Sequence, residues 1–267
     1  MTAITITVPP VQSNLITLPS QDQLPCDDGE TMETQRHKMQ MDLLIEGLDS
    51  WLEEREDGYV GGNMFIYFSQ AQIKKQDFKG PDFFAVVGVS KKERKSWVVW
   101  EEEKAPDVVI ELLSESTANH DKTLKKQIYQ DKMRVSEYFW YNPFDSEDFA
   151  GFTLNNGFYQ PLPLNEKGSY VSQSLGLNLV RWSGTYRSVE AVWLRWATLE
   201  GEVLPTGQEL AKQARQQAEI AQQQAEIAQQ QAEIAQQQAE IAQQQAEQER
   251  LRGDRLEAQL RALGVEP

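Results

Sequence analysis

Apolar residues recur at two different periods along this chain, and the switch between them outlines its elements. Met41, Leu44, Ile45, Leu48 and Leu52 fall at i, i+3, i+4, i+7 and i+11, which puts them on one face of an amphipathic helix. Asp57-Gly58 closes that pattern. Beyond it the apolar positions come in short runs rich in Val, Ile and aromatics: Tyr59-Val60, Met64 to Phe68, Asp82 to Val89, Trp97 to Trp100 and Val108 to Leu113. Separated by Gly, Pro, Lys and Asp, these runs predict strands. A second helix is expected over Lys122 to Met133, then a strand at Tyr138 to Tyr141 that Asn142-Pro143 ends. Two short strands flank Asn155-Asn156-Gly157, a hairpin turn because Asn and Gly tolerate positive φ. Helix, strands, helix, strand and hairpin in that order predict an α/β fold, a mixed central sheet flanked by helices, in one domain over residues 30–204. Residues 1–29 follow neither period and read as a flexible arm.

From Gln208 a third period takes over. Ala-Glu-Ile-Ala-Gln-Gln-Gln repeats four times from Ala218, in residues that favour helix, with no Gly or Pro before Gly253. The strict seven-residue spacing lines Ile220, Ile227, Ile234 and Ile241 along one stripe. The other seam position is Gln223 or Gln224, so half the seam is polar. Leu256, Leu260 and Leu263 form a second stripe, out of phase with the first. Residues 208–263 are therefore expected to be a helical tail, either a coiled coil through which the chain forms a homo-oligomer or a solvated segment that is partly helical or disordered.

Composition narrows the chemistry. The formal net charge is −15, and the imbalance reaches into the domain, where Glu30 to Glu200 hold about 27 acidic against about 20 basic residues. A broad basic face for DNA usually comes with the opposite balance, so any nucleic-acid contact has to be local, helped by a divalent cation, or made by a larger assembly. The one cysteine, Cys26, forms no internal disulfide and fits a reducing compartment. Met1 opens no leader pattern and no apolar run approaches 18 residues. The expectation is a cytoplasmic protein with no membrane span.

Two Pro-Asp steps open strands, Pro81-Asp82 and Pro106-Asp107. Within Val108-Val109-Ile110-Glu111-Leu112-Leu113, Glu111 is an acid surrounded by apolar neighbours. A carboxylate there is costly unless it meets a cation, a metal or strong donors; the plainer alternative is an acid on the exposed face of an edge strand, or one paired with a lysine. Asp82 begins the preceding long strand, and Lys125 and Lys126 lie on the helix that follows. Two carboxylates on neighbouring strands suit Mg²⁺, which takes oxygen ligands and keeps several waters, with a lysine nearby to orient the attacking water or, as the neutral amine, to deprotonate it.

Gly80-Pro81-Asp82, Pro106 to Ser114, Ser116-Thr117, Asp121, Lys125, Tyr129 and Glu137-Tyr138 through Asn142-Pro143, with Glu33 to His37 before the first helix, resemble the putative restriction endonuclease family of the PD-(D/E)xK nuclease superfamily. The resemblance spans roughly Gly29 to Trp196. It implies a restriction-endonuclease-like fold and an endonuclease that hydrolyses DNA with Mg²⁺ or Mn²⁺, with Asp82 and Glu111 as metal ligands and catalytic acids. The superfamily pattern wants a lysine two residues after the second acid, where this chain has Leu113. Members of the family share that apolar residue and carry the lysine on the next helix, which implies Lys125. Asp121 and Tyr129 share a helix face with Lys125 and would shape the site, as would Ser114 and His37; Lys126 points about 100° away. Asn142 stands where the family often has Asp. Glu33 and Glu46 are alternative third acids, a solvated face being the default for both, and His37 reads equally as a phosphate contact or a helix cap. Glu101-Glu102-Glu103 is expected as an exposed turn, and the seven tryptophans as packing residues. Two other readings compete with catalysis. One is an interaction module that keeps the nuclease fold without cleavage; the other is a structural oligomer driven by the tail.

Overall fold

The computed structural model describes residues 18–24, 34–69 and 78–262; most of the expected arm, Glu33 and Cys26 lie outside them. The chain divides into two compact units, residues 1–207 and 208–267.

The first unit is built on a six-stranded mixed sheet in the order β1-β4-β6-β7-β8-β9. Its strands are β1 (Asp57–Gly61), β4 (Phe83–Ser90), β6 (Val108–Leu112), β7 (Glu137–Asn142), β8 (Asp145–Asn155) and β9 (Phe158–Pro161). Only β6 and β7 run parallel; the other neighbours are antiparallel. Two smaller sheets complete the unit: β3-β2-β5, from Phe78–Lys79, Ile66–Tyr67 and Trp97–Val98, and β10-β11-β12, from Tyr170–Ser172, Leu177–Tyr186 and Val189–Ala197.

Alternation along each strand sends side chains to opposite faces of the central sheet, and each face meets a different layer. Val108, Ile110 and Leu112 join Leu44, Leu48 and Leu52 of α1 (Gln35–Glu53) and Leu179, Leu194 and Trp196 of the β10-β12 sheet in one buried cluster. Val109, on the other face, packs with Tyr129, Met133, Tyr138 and Phe152. Glu111 shares the face of Val109, so β6 delivers a carboxylate into the layer formed by α3 (118–133). That helix begins four residues before the expected Lys122. The hydroxyl of Ser114 accepts the Thr117 N–H and the Ser114 carbonyl accepts the Ala118 N–H, so a serine turn starts it early.

Two expectations need correction. Val99–Glu102 forms a single helical turn, α2, and Glu102 is not exposed: its side chain is 7% accessible and ion-paired with Arg94 at 2.8 Å and Lys92 at 2.9 Å. The strands β10 to β12 also lie beyond the last predicted element. Arg187 and Ser188 turn β11 into β12 at φ 45° and 65°, so two residues that rarely adopt this conformation make the hairpin. The hairpin at Asn156-Gly157 does form, with φ 50° and 86°. Trp97, Trp193 and Trp196 are fully buried.

The second unit is one helix, α4 (Gly207–Ala262), in which none of the residues is buried. Ile220, Ile227, Ile234 and Ile241 are each 54–55% exposed. Gln222, Gln229 and Gln236 each donate to the glutamate four residues on, so the polar side of each repeat is tied within its own helix.

Candidate active site

The site starts from the ends of two strands. Asp82 immediately precedes β4, where Phe83 pairs with Ile110 of β6. Its Oδ2 accepts the backbone N–H of Leu112 at 2.7 Å, which holds the carboxylate beside the residue that follows Glu111. The approach is set from below by Gly62. A methyl group there would come within 2.4 Å of the Asp82 carbonyl oxygen, so only glycine lets the chain after β1 pass this close.

Glu111 is fully buried. Its Oε1 accepts the Tyr129 hydroxyl at 2.7 Å and its Oε2 accepts from the Lys125 ammonium at 3.1 Å. Lys125 also contacts Oδ1 of the buried Asp121 at 2.8 Å, and the Tyr138 hydroxyl donates to the Asp121 carbonyl at 2.9 Å. Three residues at spacing four thus gather at one carboxylate, Lys125 and Tyr129 by direct bonds and Asp121 through Lys125. In a regular α-helix that face drifts by about 40° every four residues. Here α3 alternates α-turns with wider π-turns at Asp121–Lys125 and Tyr129–Met133, which counter the drift; such turns often occur at functional sites.

The electrostatics follow from the charge count. Asp82, Glu111 and Asp121 surround a single ammonium, leaving a buried excess of negative charge. Burial, and then the charge of Glu111, hold the Asp82 carboxyl well above the usual range; burial also raises Glu111, with Lys125 opposing it. For Lys125 burial acts downward, but Glu111 and Asp121 outweigh it and raise the ammonium above the ordinary lysine value. In this arrangement both acids favour the charged form of Lys125, which donates to Glu111 and contacts Asp121.

Other expected site residues are placed nearby in different roles. His37 is 3% exposed: Nε2 lies 3.0 Å from the Leu113 carbonyl and Nδ1 2.8 Å from the Thr34 hydroxyl. A carbonyl only accepts, so in the neutral ring the hydrogen sits on Nε2. Thr34 meanwhile caps α1 by accepting the His37 N–H. His37 thus pins α1 to the end of β6 with both nitrogens engaged. Ser114 contacts Ser116 and Thr117 in the turn before α3. Glu46 is engaged by Arg187 at 2.9 Å, Leu113 is fully buried, and Lys126 lies over the Phe152 ring at 3.3 Å. Sequence reasoning gave no site role to Tyr138, read only as part of a strand and of the family pattern, or to Phe144, which lies past the Asn142-Pro143 break and stands 64% exposed beside His37.

Among the described residues no group of three or more His, Cys, Asp or Glu side chains is arranged to hold a metal. Two carboxylates completed by water are, however, what Mg²⁺ takes, and the uncompensated buried charge fits a divalent cation. Among the described residues no helix is long and apolar enough to cross a membrane.

A family model described as Uma2, putative restriction endonuclease, matches residues 15–190, more than half of the chain. Among solved structures, the chain is similar to a putative nuclease belonging to DUF820 from Anabaena variabilis ATCC 29413. The two share 13% identity over 54% of this chain and 84% of that one, with a TM-score of 0.38. No curated protein matches.

Proposed function

The chain belongs to the Uma2 family of putative restriction endonucleases, and we propose that it is a Mg²⁺- or Mn²⁺-dependent endonuclease hydrolysing phosphodiester bonds in DNA. The observation that carries this reading is Glu111, a fully buried carboxylate on a central strand, held between the Lys125 ammonium and the Tyr129 hydroxyl. Asp82 and Glu111 would hold the cation, which when bound supplies positive charge against the phosphate oxygens. Tyr129 fixes the orientation of one Glu111 oxygen, and the Leu112 N–H fixes Asp82. Lys125 places a permanent positive charge beside the acids, where it donates to an attacking water or to a phosphate oxygen and stabilises charge developing in the transition state. Asp121 holds that ammonium in place. In a domain this acidic, phosphate contact concentrates at the cation and Lys125.

The tail is read as a self-association element, its isoleucine stripe covered by a second copy of the same helix. The acidic balance of the domain favours an interaction module without cleavage as the competing reading.

Plasmid nicking in Mg²⁺ separates the two. Wild type should nick supercoiled DNA, and Glu111→Ala should abolish nicking with an unchanged circular dichroism spectrum. Cleavage retained by that variant removes Glu111 from the mechanism. A wild type that neither nicks DNA nor binds Mg²⁺ or Mn²⁺ by calorimetry, with Asp82→Ala equally inert, leaves the interaction module standing.

A further inference from the structure

We propose that the cleft next to the acidic site receives an unpaired nucleobase stacked on Phe144, so that the substrate presents an extrahelical or single-stranded nucleotide near the cut phosphate. The proposal rests on the nuclease reading above. The cleft, about 850 Å³, opens where β6 and β7 end side by side. Ser114, Glu115 and Ser116 line one wall, Asn142, Phe144 and Asp145 the other. Ser114 lies three residues beyond Glu111, or about 10 Å along an extended chain, a span of one or two nucleotides.

Phe144 sits in a turn that fixes its ring. Its N–H donates to the Asn142 side chain at 2.9 Å. The Arg36 guanidinium lies 5.5 Å from the Phe144 centroid and 5.0 Å from that of Trp193, and it donates to the Pro143 carbonyl at 3.3 Å. The His37 ring, anchored through both nitrogens, stands 5.8 Å away on the cleft side. Scattered exposed apolar residues are ordinary on protein surfaces. This one has a cation against its ring, is largely exposed and lines the cleft beside His37, and exposed aromatic rings are what proteins use to bind bases taken out of a helix.

The polar lining selects the part of the nucleotide. Among the described residues no lysine or arginine lines the cleft, whereas Glu115 and Asp145 do. Two carboxylates repel a phosphate but accept hydrogen bonds from exocyclic amino groups. The occupant is therefore a base carrying an amino group, namely cytosine, adenine or guanine, with its phosphates left to the metal and Lys125. A base still stacked inside a duplex cannot reach the ring.

The test uses the full chain in Ca²⁺ and a series of fluorescent 12-nucleotide cytosine strands in which one abasic site is moved along the sequence. By anisotropy, wild type should lose about tenfold in affinity when the abasic site occupies one particular position. Phe144→Ala should bind the intact and that abasic strand equally, and Phe144→Trp should restore the difference. Phe144→Ala discriminating as wild type does, or a wild type that binds and cuts the strands without sensing any abasic site, overturns the stacking site and leaves the nuclease reading intact. A wild type that binds no strand and nicks no plasmid in Mg²⁺ means that the nuclease reading itself has failed, and the stacking site with it.

Discussion

Lys125 stands in contact with two acids at once, at 3.1 Å from Glu111 and 2.8 Å from Asp121, and that position defines its use. Two carboxylates in contact favour the charged form of the lysine, which suits a positive charge held beside the acids. Lys125→Met should lower the rate of Mg²⁺-dependent nicking by about 100-fold or more, while calorimetry still detects the cation at Asp82 and Glu111. Loss of metal binding in that variant would instead make the lysine a support for the acids. Much of this was legible one residue at a time. Asp82, Glu111 and Lys125 each stand out by residue type against their surroundings, and spacing four puts Lys125 with Asp121 and Tyr129. The engagement of both His37 nitrogens was not legible, because it depends on a carbonyl 76 residues away.

At the scale of elements, the site depends on close passage of backbone at Gly62. Gly62→Ala forces its methyl group against the Asp82 carbonyl, so the expected result is a lower melting temperature together with weaker Mg²⁺ binding by calorimetry. Unchanged metal affinity would show that the displacement is absorbed away from Asp82. A second element-level prediction concerns the turn at α2. The hydrogen bond from the buried Arg94 lowers the Glu102 carboxyl below the usual glutamate value. A lowered carboxylate binds fewer protons folded than unfolded, so its contribution is present above the ordinary glutamate value and fades as pH falls through the lowered one. Glu102→Ala leaves Arg94 buried without its acid and should cost about 3 kcal/mol at pH 7. The deficit relative to wild type should shrink in acid, as measured by urea unfolding at a series of pH values; a deficit constant with pH would tie the loss to packing. Element order and the Asn156-Gly157 turn were readable from the sequence. The hairpin at Arg187-Ser188 was not, because neither residue signals positive φ, and the strands on either side of it went unseen.

For the whole molecule, the division at residue 207 separates the acids from the stretch expected to bring copies together. Replacing Ile220, Ile227, Ile234 and Ile241 with Gln should turn the full chain from an oligomer into a monomer by light scattering, with nicking activity per chain retained. An unchanged mass would show that the isoleucine stripe is not what joins the copies. Periodicity alone identified the helix, but a seam of alternating Ile and Gln leaves the number of strands undetermined by pattern, since polar layers weaken the preferences that branched apolar layers impose.

The four repeats have one more property: they are interchangeable. Two such helices offset by a whole repeat still match three of their four isoleucine layers, so neighbouring alignments are nearly degenerate, like a zipper that closes one tooth out. The degeneracy is broken where the pattern ends, at Gln213 on one side and at Gln248 and Arg255 on the other, which occupy the phase an isoleucine would hold, and at Leu256 and Leu260 beyond it. In a pair of such helices the last turns of the tail would be the stop that selects one alignment from a ladder of equals. Insertion or loss of a complete repeat would change the length of the ladder without disturbing that stop.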